Sequence, residues 1–339
     1  MKHIRTFNSF VLPASNERFI SLNDSGLASI YTHQLNHLYT IPDGYLVYRM
    51  TPDYAIIAKN RHFKKLDLNR FEISFDYGIH AKSIQHVQNR FFFFDRKTGH
   101  HQLINLETDQ IEYSVEIPIQ SRIQAFYAYS PICIGMEMDS REIYTINLET
   151  GELIWRLPEE ELNISSPGIL TGHIYAVEDS FIATVTSGEL IAIDAGRGHH
   201  LWNTTLARKS FGQLVLGNRY LSFRLITGPT EQHHSPILFT ELDLRTGQII
   251  SQIDVTAQFL ALGGLSRQDL QTLILGKFAS DGTSIYFGIN QNLIKLHIES
   301  GQLEHVYTHE YALSFYSMIA GKLFCVDGNS RLQVFTAED

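Results

Sequence analysis

The stretch INLETGELIWRLP, from Ile146 to Pro158, holds an apolar strand, a polar corner and a second strand that carries a tryptophan. Asn147 opens the corner, and its short polar side chain can cap a turn by accepting backbone N–H groups. Gly151 follows four residues later, where a short hairpin loop needs a residue with positive φ. The stretch therefore predicts a tight β-hairpin whose second strand presents Trp155.

Similar corners recur along the chain and define a repeat. Their opening residues, which we call anchors, are Asp67, Asn105, Asn147, Asp194, Asp243 and His297. The interval between anchors grows from 38 residues (67 to 105) to 54 residues (243 to 297). From Asn105 onward, the fourth residue after each anchor is, in order, Asp109, Gly151, Gly198, Gly247 and Gly301. A period of about 40 to 50 residues is typical of four-stranded blades or of helical repeats.

The segments between corners favour strands over helices. They run apolar or alternating over five to eight residues, are rich in Val, Ile, Thr, Tyr and Phe, and end at Gly, Asn, Asp or Ser. One more unit precedes the series at residues 18–41, and the last unit lacks its outer strand, which the first residues of the chain could supply. We predict an all-β chain whose residues 1–339 form a single β-propeller of four-stranded antiparallel blades. The expected blade number is eight, with seven as the alternative, and N- and C-terminal strands pair to close the ring.

A known repeat family resembles this pattern. The stretch TSGELIAIDAGRGHHLW, from Thr186 to Trp202, is similar to the repeat of quinoprotein-type, PQQ-like β-propellers. The resemblance is good over 142–155 and 186–202, fair over 236–250 and 292–303, and faint before residue 100. It implies that Trp155 and Trp202 dock neighbouring blades, whereas the equivalent position holds Tyr113, Ser251 and His305 in other units. The architecture is also WD40-like, although the Gly-His and Trp-Asp signatures of WD40 units are missing.

Composition narrows the classes of partner. The formal net charge is −9, and the longest basic run is RHFKK at 61–65, so the sequence argues against nucleic-acid binding. The amino terminus lacks an apolar segment of about seven residues, and no stretch approaches the roughly 18 apolar residues of a membrane span. We therefore expect a cytoplasmic protein without membrane association, monomeric as a propeller by itself.

Chemical motifs do not support an enzyme. The sequence contains no nucleophile elbow, phosphate loop or His-Glu-x-x-His zinc motif, and it lacks the features that the resemblance associates with bound quinone and calcium. Because neighbouring residues of a strand point to opposite faces, paired histidines rarely chelate one ion. We predict no catalytic residue, no metal site and no cofactor. A small-ligand binder or an enzyme with a site in the central channel stays open as the alternative.

Long connections indicate where a partner binds. Because strands alternate in direction, the segments 158–168, 226–236 and 256–271 all fall at the end opposite the corners. Neutral insertion is one interpretation, and an elaborated protein-binding face is the other. The partner-binding candidates at this end are Glu159, Glu160, Glu161, Glu231, Gln232, His233, His234 and Phe259. The acidic residues would suit a protein with a basic surface.

The resulting hypothesis of function is a non-enzymatic binding platform, either an adaptor or an inhibitor or immunity-type partner of another protein. By resemblance, non-enzymatic PQQ-like propellers serve as assembly scaffolds. Those that assemble outer membranes are exported, which this chain is not expected to be.

Overall fold

A computed structural model of the protein describes most of the chain. The described residues are 2–7, 18–22, 27–32, 34–60, 62–80, 84–87, 89–95, 100–115, 123–129, 132–137, 142–147, 149–162, 170–185, 188–206, 209–225, 236–265, 278–319, 321–329 and 331–336.

Within these ranges the strands form eight antiparallel sheets, seven of four strands and one of three. The first three sheets use the amino-terminal third of the chain. Sheet 1 contains β2 (Arg18–Leu22), β3 (Ala28–Thr32) and β4 (His37–Thr40). Sheet 2 contains β5 (Leu46–Met50), β6 (Tyr54–Lys59), β7 (His62–Asp67) and β8 (Glu72–His80). Sheet 3 contains β9 (Ile84–Val87), β10 (Arg90–Asp95), β11 (His100–Asn105) and β12 (Gln110–Val115).

The next three sheets include the long connections. Sheet 4 contains β13 (Ile123–Tyr129), β14 (Ile132–Glu137), β15 (Glu142–Asn147) and β16 (Leu153–Pro158). Sheet 5 contains β17 (Leu170–Val177), β18 (Ser180–Val185), β19 (Glu189–Asp194) and β20 (His200–Thr205). Sheet 6 contains β21 (Lys209–Leu216), β22 (Arg219–Leu225), β23 (Ile237–Asp243) and β24 (Ile249–Asp254).

The last two sheets complete the order. Sheet 7 contains β25 (Ala279–Ser280), β26 (Ser284–Ile289), β27 (Asn292–His297) and β28 (Leu303–Thr308). Sheet 8 contains β29 (Leu313–Ile319), β30 (Lys322–Asp327), β31 (Leu332–Thr336) and, paired with β31, β1 (Lys2–Phe7). The first strand of the chain is thus the outer strand of the last sheet.

In the described part of the chain, two short helices interrupt this pattern. A 3₁₀ helix, η1 (Glu159–Leu162), follows sheet 4, and an α-helix, α1 (Thr256–Gly263), follows sheet 6. The segment that begins at Thr256 is expected from the sequence to be a plain connection. Its sequence, TAQFLALG, has apolar residues on most sides of the helix and therefore shows little helical periodicity. Packing rather than an amphipathic pattern stabilises the helix.

The core is a series of sheet-on-sheet contacts. Buried apolar clusters join sheets 1 and 2, 2 and 3, 4 and 5, 5 and 6, 6 and 7, 7 and 8, and finally 8 and 1. At the last of these contacts Phe19 lies 5.1 Å from Phe324, ring to ring. On the inner side, β13 approaches both β9 and β17. Sheets 1, 2, 5, 6, 7 and 8 are therefore packed on two faces. In β10 of sheet 3 the successive residues Phe91, Phe92 and Phe93 are all buried, as expected of a strand that is covered on both faces.

The all-β prediction is confirmed. The predicted pairing of the N- and C-terminal strands is present as β1 against β31, antiparallel from Lys2 opposite Thr336 to Phe7 opposite Leu332.

Candidate protein-binding surfaces

The corners share one backbone geometry. The side chain of Asn147 accepts hydrogen bonds from the backbone N–H groups of Glu149 (2.7 Å) and Thr150 (3.2 Å), and Gly151 donates its N–H to the Asn147 carbonyl (2.8 Å). Side chains of Asp67, Asn105, Asp194 and Asp243 accept in the same way. The fourth residue after each anchor has positive φ: Phe71 (56°), Asp109 (58°), Gly151 (76°), Gly198 (72°), Gly247 (71°) and Gly301 (66°).

The corner of one sheet receives a side chain from the outer strand of the sheet before it. Trp155 on β16 lies against Gly198, where an added Cβ would sit 2.6 Å from Cδ2 of the indole. The indole Nε1 donates a hydrogen bond of 2.9 Å to the carbonyl of Ala195 in the same corner. Sheets 4 and 5 are therefore joined by packing and by one directional bond.

Sheets 5 and 6 repeat this contact with one difference. Trp202 lies against Gly247, where an added Cβ would sit 2.5 Å from the indole. Its Nε1 is buried and has no hydrogen-bond partner among the described residues. The directional bond at this junction comes instead from the hydroxyl of Thr204, which donates to the Gly247 carbonyl.

The amino-terminal junctions use other side chains at the same place. The residue directly after each anchor presents its backbone carbonyl, and in sheet 5 this is the Ala195 carbonyl that accepts from Trp155. In sheet 2 the equivalent carbonyl, of Leu68, accepts from Arg18 (3.1 Å), and in sheet 3 that of Leu106 accepts from Lys65. The ring of Tyr39 stacks on that of Phe71 at 5.0 Å. In the corner of sheet 1, Leu35, four residues before Tyr39, also has positive φ (72°). The sequence repeat does not reveal these positions, because neither Phe71 nor Leu35 is a residue typical of a turn.

Asp109 is the polar centre of the junction between sheets 2 and 3. Nζ of Lys65 lies 3.1 Å from its carboxylate, and the hydroxyl of Tyr77 donates to Oδ1 at 2.7 Å. Burial and then the hydrogen bond to the Asp109 carboxylate raise the pKa of Tyr77. Asp109 therefore replaces a glycine in conformation and also serves as a partner for two side chains.

The strand order places the three long connections at the end opposite the corners. These connections span residues 159–169, 226–236 and 255–278, whereas each corner is four or five residues long. We call this side the opposite end. The described residues of these connections are 159–162, 236, 255–265 and 278.

The acidic segment of the opposite end is anchored by a buried leucine. Glu159, Glu160 and Glu161 form η1, in which Glu160 and Glu161 are exposed and Leu162 is 0% exposed. Leu162 packs among apolar residues of sheets 4 and 5. The two exposed carboxylates are therefore held on a fixed turn, where a partner could reach them.

One predicted binding residue is wrong. Phe259 is 0% exposed and lies in the core, with its ring 5.7 Å from Phe223 and 6.1 Å from Phe287. It therefore serves as the apolar anchor of α1 rather than as a surface contact. The other predicted residues of this group, Glu231, Gln232, His233 and His234, lie outside the described residues.

Helix α1 is tied to its neighbours by polar contacts. The hydroxyl of Thr256 accepts the backbone N–H of Ile237 (2.7 Å), and Gln258 Oε1 accepts the N–H of Leu303 (2.9 Å) from sheet 7. The side-chain amide of Asn292 donates to the carbonyl of Leu262 (2.9 Å). Helix α1 therefore spans sheets 6 and 7, and because Leu303 directly follows the corner of sheet 7, the helix reaches from the opposite end towards the corner end.

The carboxylate of Asp327, at the opposite end of sheet 8, is buried and is held by hydrogen bonds within the protein. Asp327 is 2% exposed and accepts from Nε of Arg331 (3.0 Å) and from the amide of Gln333 (2.9 Å). Burial raises the pKa of Asp327, but hydrogen bonds from the backbone N–H groups of Arg331 and Asn329 and from other donors together lower it by more. The net shift of the pKa is therefore downward. Its oxygens are occupied by protein donors, which is the pattern of a fold-stabilising network.

Across the described ranges, no group of three or more His, Cys, Asp or Glu side chains converges to hold an ion. The helices of the described chain include none with the length and apolarity required to cross a membrane.

Sheets packed face to face around a ring of inner strands, with a terminal strand closing the last sheet, define a β-propeller. The sequence comparison then identifies the repeat: the family described as outer membrane protein assembly factor BamB, PQQ_2, matches residues 139–228. Residues 139–228 are thus similar to a PQQ-like repeat, and the resemblance read from Trp155 and Trp202 is confirmed. No curated protein matches the sequence.

Solved structures share the fold at low sequence identity. BamB from Moraxella catarrhalis is 13% identical with a TM-score of 0.62, and the alignment covers 99% of each chain. The computationally designed Ika8 protein is 12% identical with a TM-score of 0.66, covering 99% of this chain and 98% of that one. Saccharomyces cerevisiae Sqt1 is 11% identical with a TM-score of 0.64, covering 99% and 100%. These likenesses establish the propeller architecture over nearly the whole chain.

Proposed function

We propose that the eight sheets are the blades of one closed propeller that acts as a non-enzymatic platform for binding another protein. The observation that carries this proposal is the asymmetry between the two ends. The corners repeat one compact geometry, whereas residues 159–169, 226–236 and 255–278 are all added at the opposite end. Extra loop length on a rigid scaffold is where binding residues concentrate.

The described part of the opposite end suits a protein ligand. It offers the fixed turn of η1 with two exposed carboxylates, and helix α1 begins at this end and is held to sheets 6 and 7. The family whose description names an outer membrane protein assembly factor adds support for a role in protein association. We propose an adaptor, or an inhibitor or immunity-type partner, that recognises a protein with a basic surface near Glu160 and Glu161.

In this proposal the protein is a monomeric propeller that works in the cytoplasm. Its partner would be recovered with it when the full, tagged chain is purified from the native cell. Recovery of a lone monomer with a small molecule bound in its channel would overturn the platform and favour a ligand-binding role instead.

A charge-reversed pair tests the location of the contact. Glu160→Lys with Glu161→Lys is expected to weaken capture of the partner by about tenfold or more, because repulsion replaces attraction at the interface. The matched control is Glu299→Lys with Glu304→Lys, which reverses two exposed glutamates at the corner end of sheet 7. Equal loss in both variants would contradict binding at the opposite end, since only net charge would then matter.

A further inference from the structure

Exposed aliphatic side chains recur on the outer strands beside the corners. They occupy the sixth or seventh position after the anchor in sheets 2 to 6, five successive sheets. They are Ile73 (42% exposed), Ile111 (56%), Leu153 (39%), Ile154 (39%), Leu201 (50%), Ile249 (42%) and Ile250 (56%). A single exposed aliphatic residue needs no explanation, but a repeated row at one end of the ring marks an interaction surface.

Sheets 3 and 4 combine this row with uncompensated negative charge. Glu107, Glu149 and Glu152 are exposed, and none has an ion-pair partner among the described residues. Three cations of sheets 2 to 4 are paired with other carboxylates. The pairs are Lys65 with Asp109 (3.1 Å), Arg90 with Glu112 (2.7 Å) and Arg156 with Glu142 (3.6 Å).

The backbone next to these side chains is an open sheet edge. Strands β12 and β16 are the outermost strands of their sheets, so each pairs on one side only within the described chain. Proteins commonly guard such edges with lysine, proline or other charges. Here β12 has no cation or proline, and in β16 the cation Arg156 is drawn to Glu142 while Pro158 stands at the strand end.

We propose that this acidic–aliphatic surface, formed by Glu107, Ile111, Glu149, Glu152, Leu153 and Ile154, binds an extended segment of a partner protein in which lysine or arginine alternates with aliphatic residues. Alternation places the cations of such a segment on one side and its aliphatic side chains on the other. The cations would meet these glutamates, and the aliphatic side chains would cover Ile111 and Ile154. The open edge offers main-chain hydrogen bonds as well.

A second copy of the chain is the wrong occupant on charge grounds. A two-fold contact places a surface against itself, so Glu107, Glu149 and Glu152 would face their own equivalents. Like charges brought together across an interface oppose association. The surface lies at the corner end and is therefore separate from the opposite-end contact of the proposed function.

Sheet 6 provides a matched control surface. Ile250 is as exposed as Ile111, at 56%, and lies on the outer strand β24 beside a corner. The charged residue of that corner is a cation, Arg245, which is paired with Glu178. This site has the aliphatic feature without the free acidic one.

The test titrates the full-length protein against a fluorescent peptide of alternating lysine and isoleucine and follows polarisation. Ile111→Thr is expected to weaken binding by about tenfold, because one aliphatic side chain loses its cover. Glu149→Gln with Glu152→Gln should weaken it by a similar factor and flatten the dependence on salt. Ile250→Thr should leave the affinity unchanged, and unfolding midpoints confirm that each variant remains folded.

Three results would overturn the proposal. Equal weakening by Ile111→Thr and Ile250→Thr would show general adhesion to exposed aliphatic groups. Equal affinity for a peptide of alternating glutamate and isoleucine would remove the charge argument. A concentration-dependent dimer that Ile111→Thr abolishes would identify a second copy as the occupant.

Discussion

The junctions of the middle of the chain and those of its amino-terminal third solve one packing problem with different chemistry. Between sheets 4 and 5 an indole lies on a glycine, with Trp155 bonded to the Ala195 carbonyl. Between sheets 2 and 3 the equivalent carbonyl receives Lys65, and the glycine position is held by Asp109. Geometry is kept while the side chains change, which explains why the repeat is plain at 139–228 and faint before residue 100.

The largest expected effect comes from filling the space beneath a tryptophan. Gly198→Ala places a Cβ 2.6 Å from the Trp155 ring and forces alanine to φ +72°, so we expect a loss of about 3 kcal/mol in the free energy of unfolding. Urea denaturation measures it. Gly217→Ala is the control, because φ there is +57° with nothing within 4 Å, and strain alone should cost about 1 kcal/mol. Equal losses would show that Trp155 moves aside freely.

Replacing Asp109 by glycine, the residue found at the equivalent position of the mid-chain corners, should destabilise the protein. Asp109→Gly relieves the positive φ but removes the partner of Lys65 and of the Tyr77 hydroxyl, so we expect a net loss of about 2 kcal/mol. Asp109→Asn, which keeps hydrogen-bonding capacity without the charge, should lose less. Thermal unfolding ranks the three proteins. A more stable Asp109→Gly protein would mean that the corner needs only a glycine conformation.

Phe71 distinguishes strain from stacking at the corner of sheet 2. Its φ of 56° is costly for an aromatic residue, and its ring stacks on Tyr39 at 5.0 Å. Both Phe71→Gly and Phe71→Ala lose the stack, but only glycine also relieves the strain. We therefore expect the glycine variant to be more stable than the alanine variant by about 1 kcal/mol in chemical unfolding. The reverse order, which is usual in regular strands, would contradict the strain.

Local turn chemistry made most of the fold predictable. Asn147 and Gly151 encode their corner in five residues, and the same spacing located the other corners and hence the strands between them. The stacking of Tyr39 on Phe71 and the use of Lys65 could not be predicted, because they depend on which residues of different sheets meet. The prediction that Phe259 is exposed was wrong for the same reason: a phenylalanine in a long connection looks exposed until α1 packs it beside Phe223.

The two tryptophans provide the finest comparison within one chemistry. Trp155→Phe removes the hydrogen bond to Ala195 and leaves that carbonyl without its donor, whereas Trp202→Phe removes a buried Nε1 that has no partner among the described residues. Both variants lose similar apolar area, so the difference isolates the polar atom. We expect Trp155→Phe to be less stable than Trp202→Phe by about 1 kcal/mol in urea unfolding. Equal losses would indicate that Nε1 of Trp202 donates to an acceptor as good as the Ala195 carbonyl, and the two junctions would then be equivalent in energy despite their different contacts.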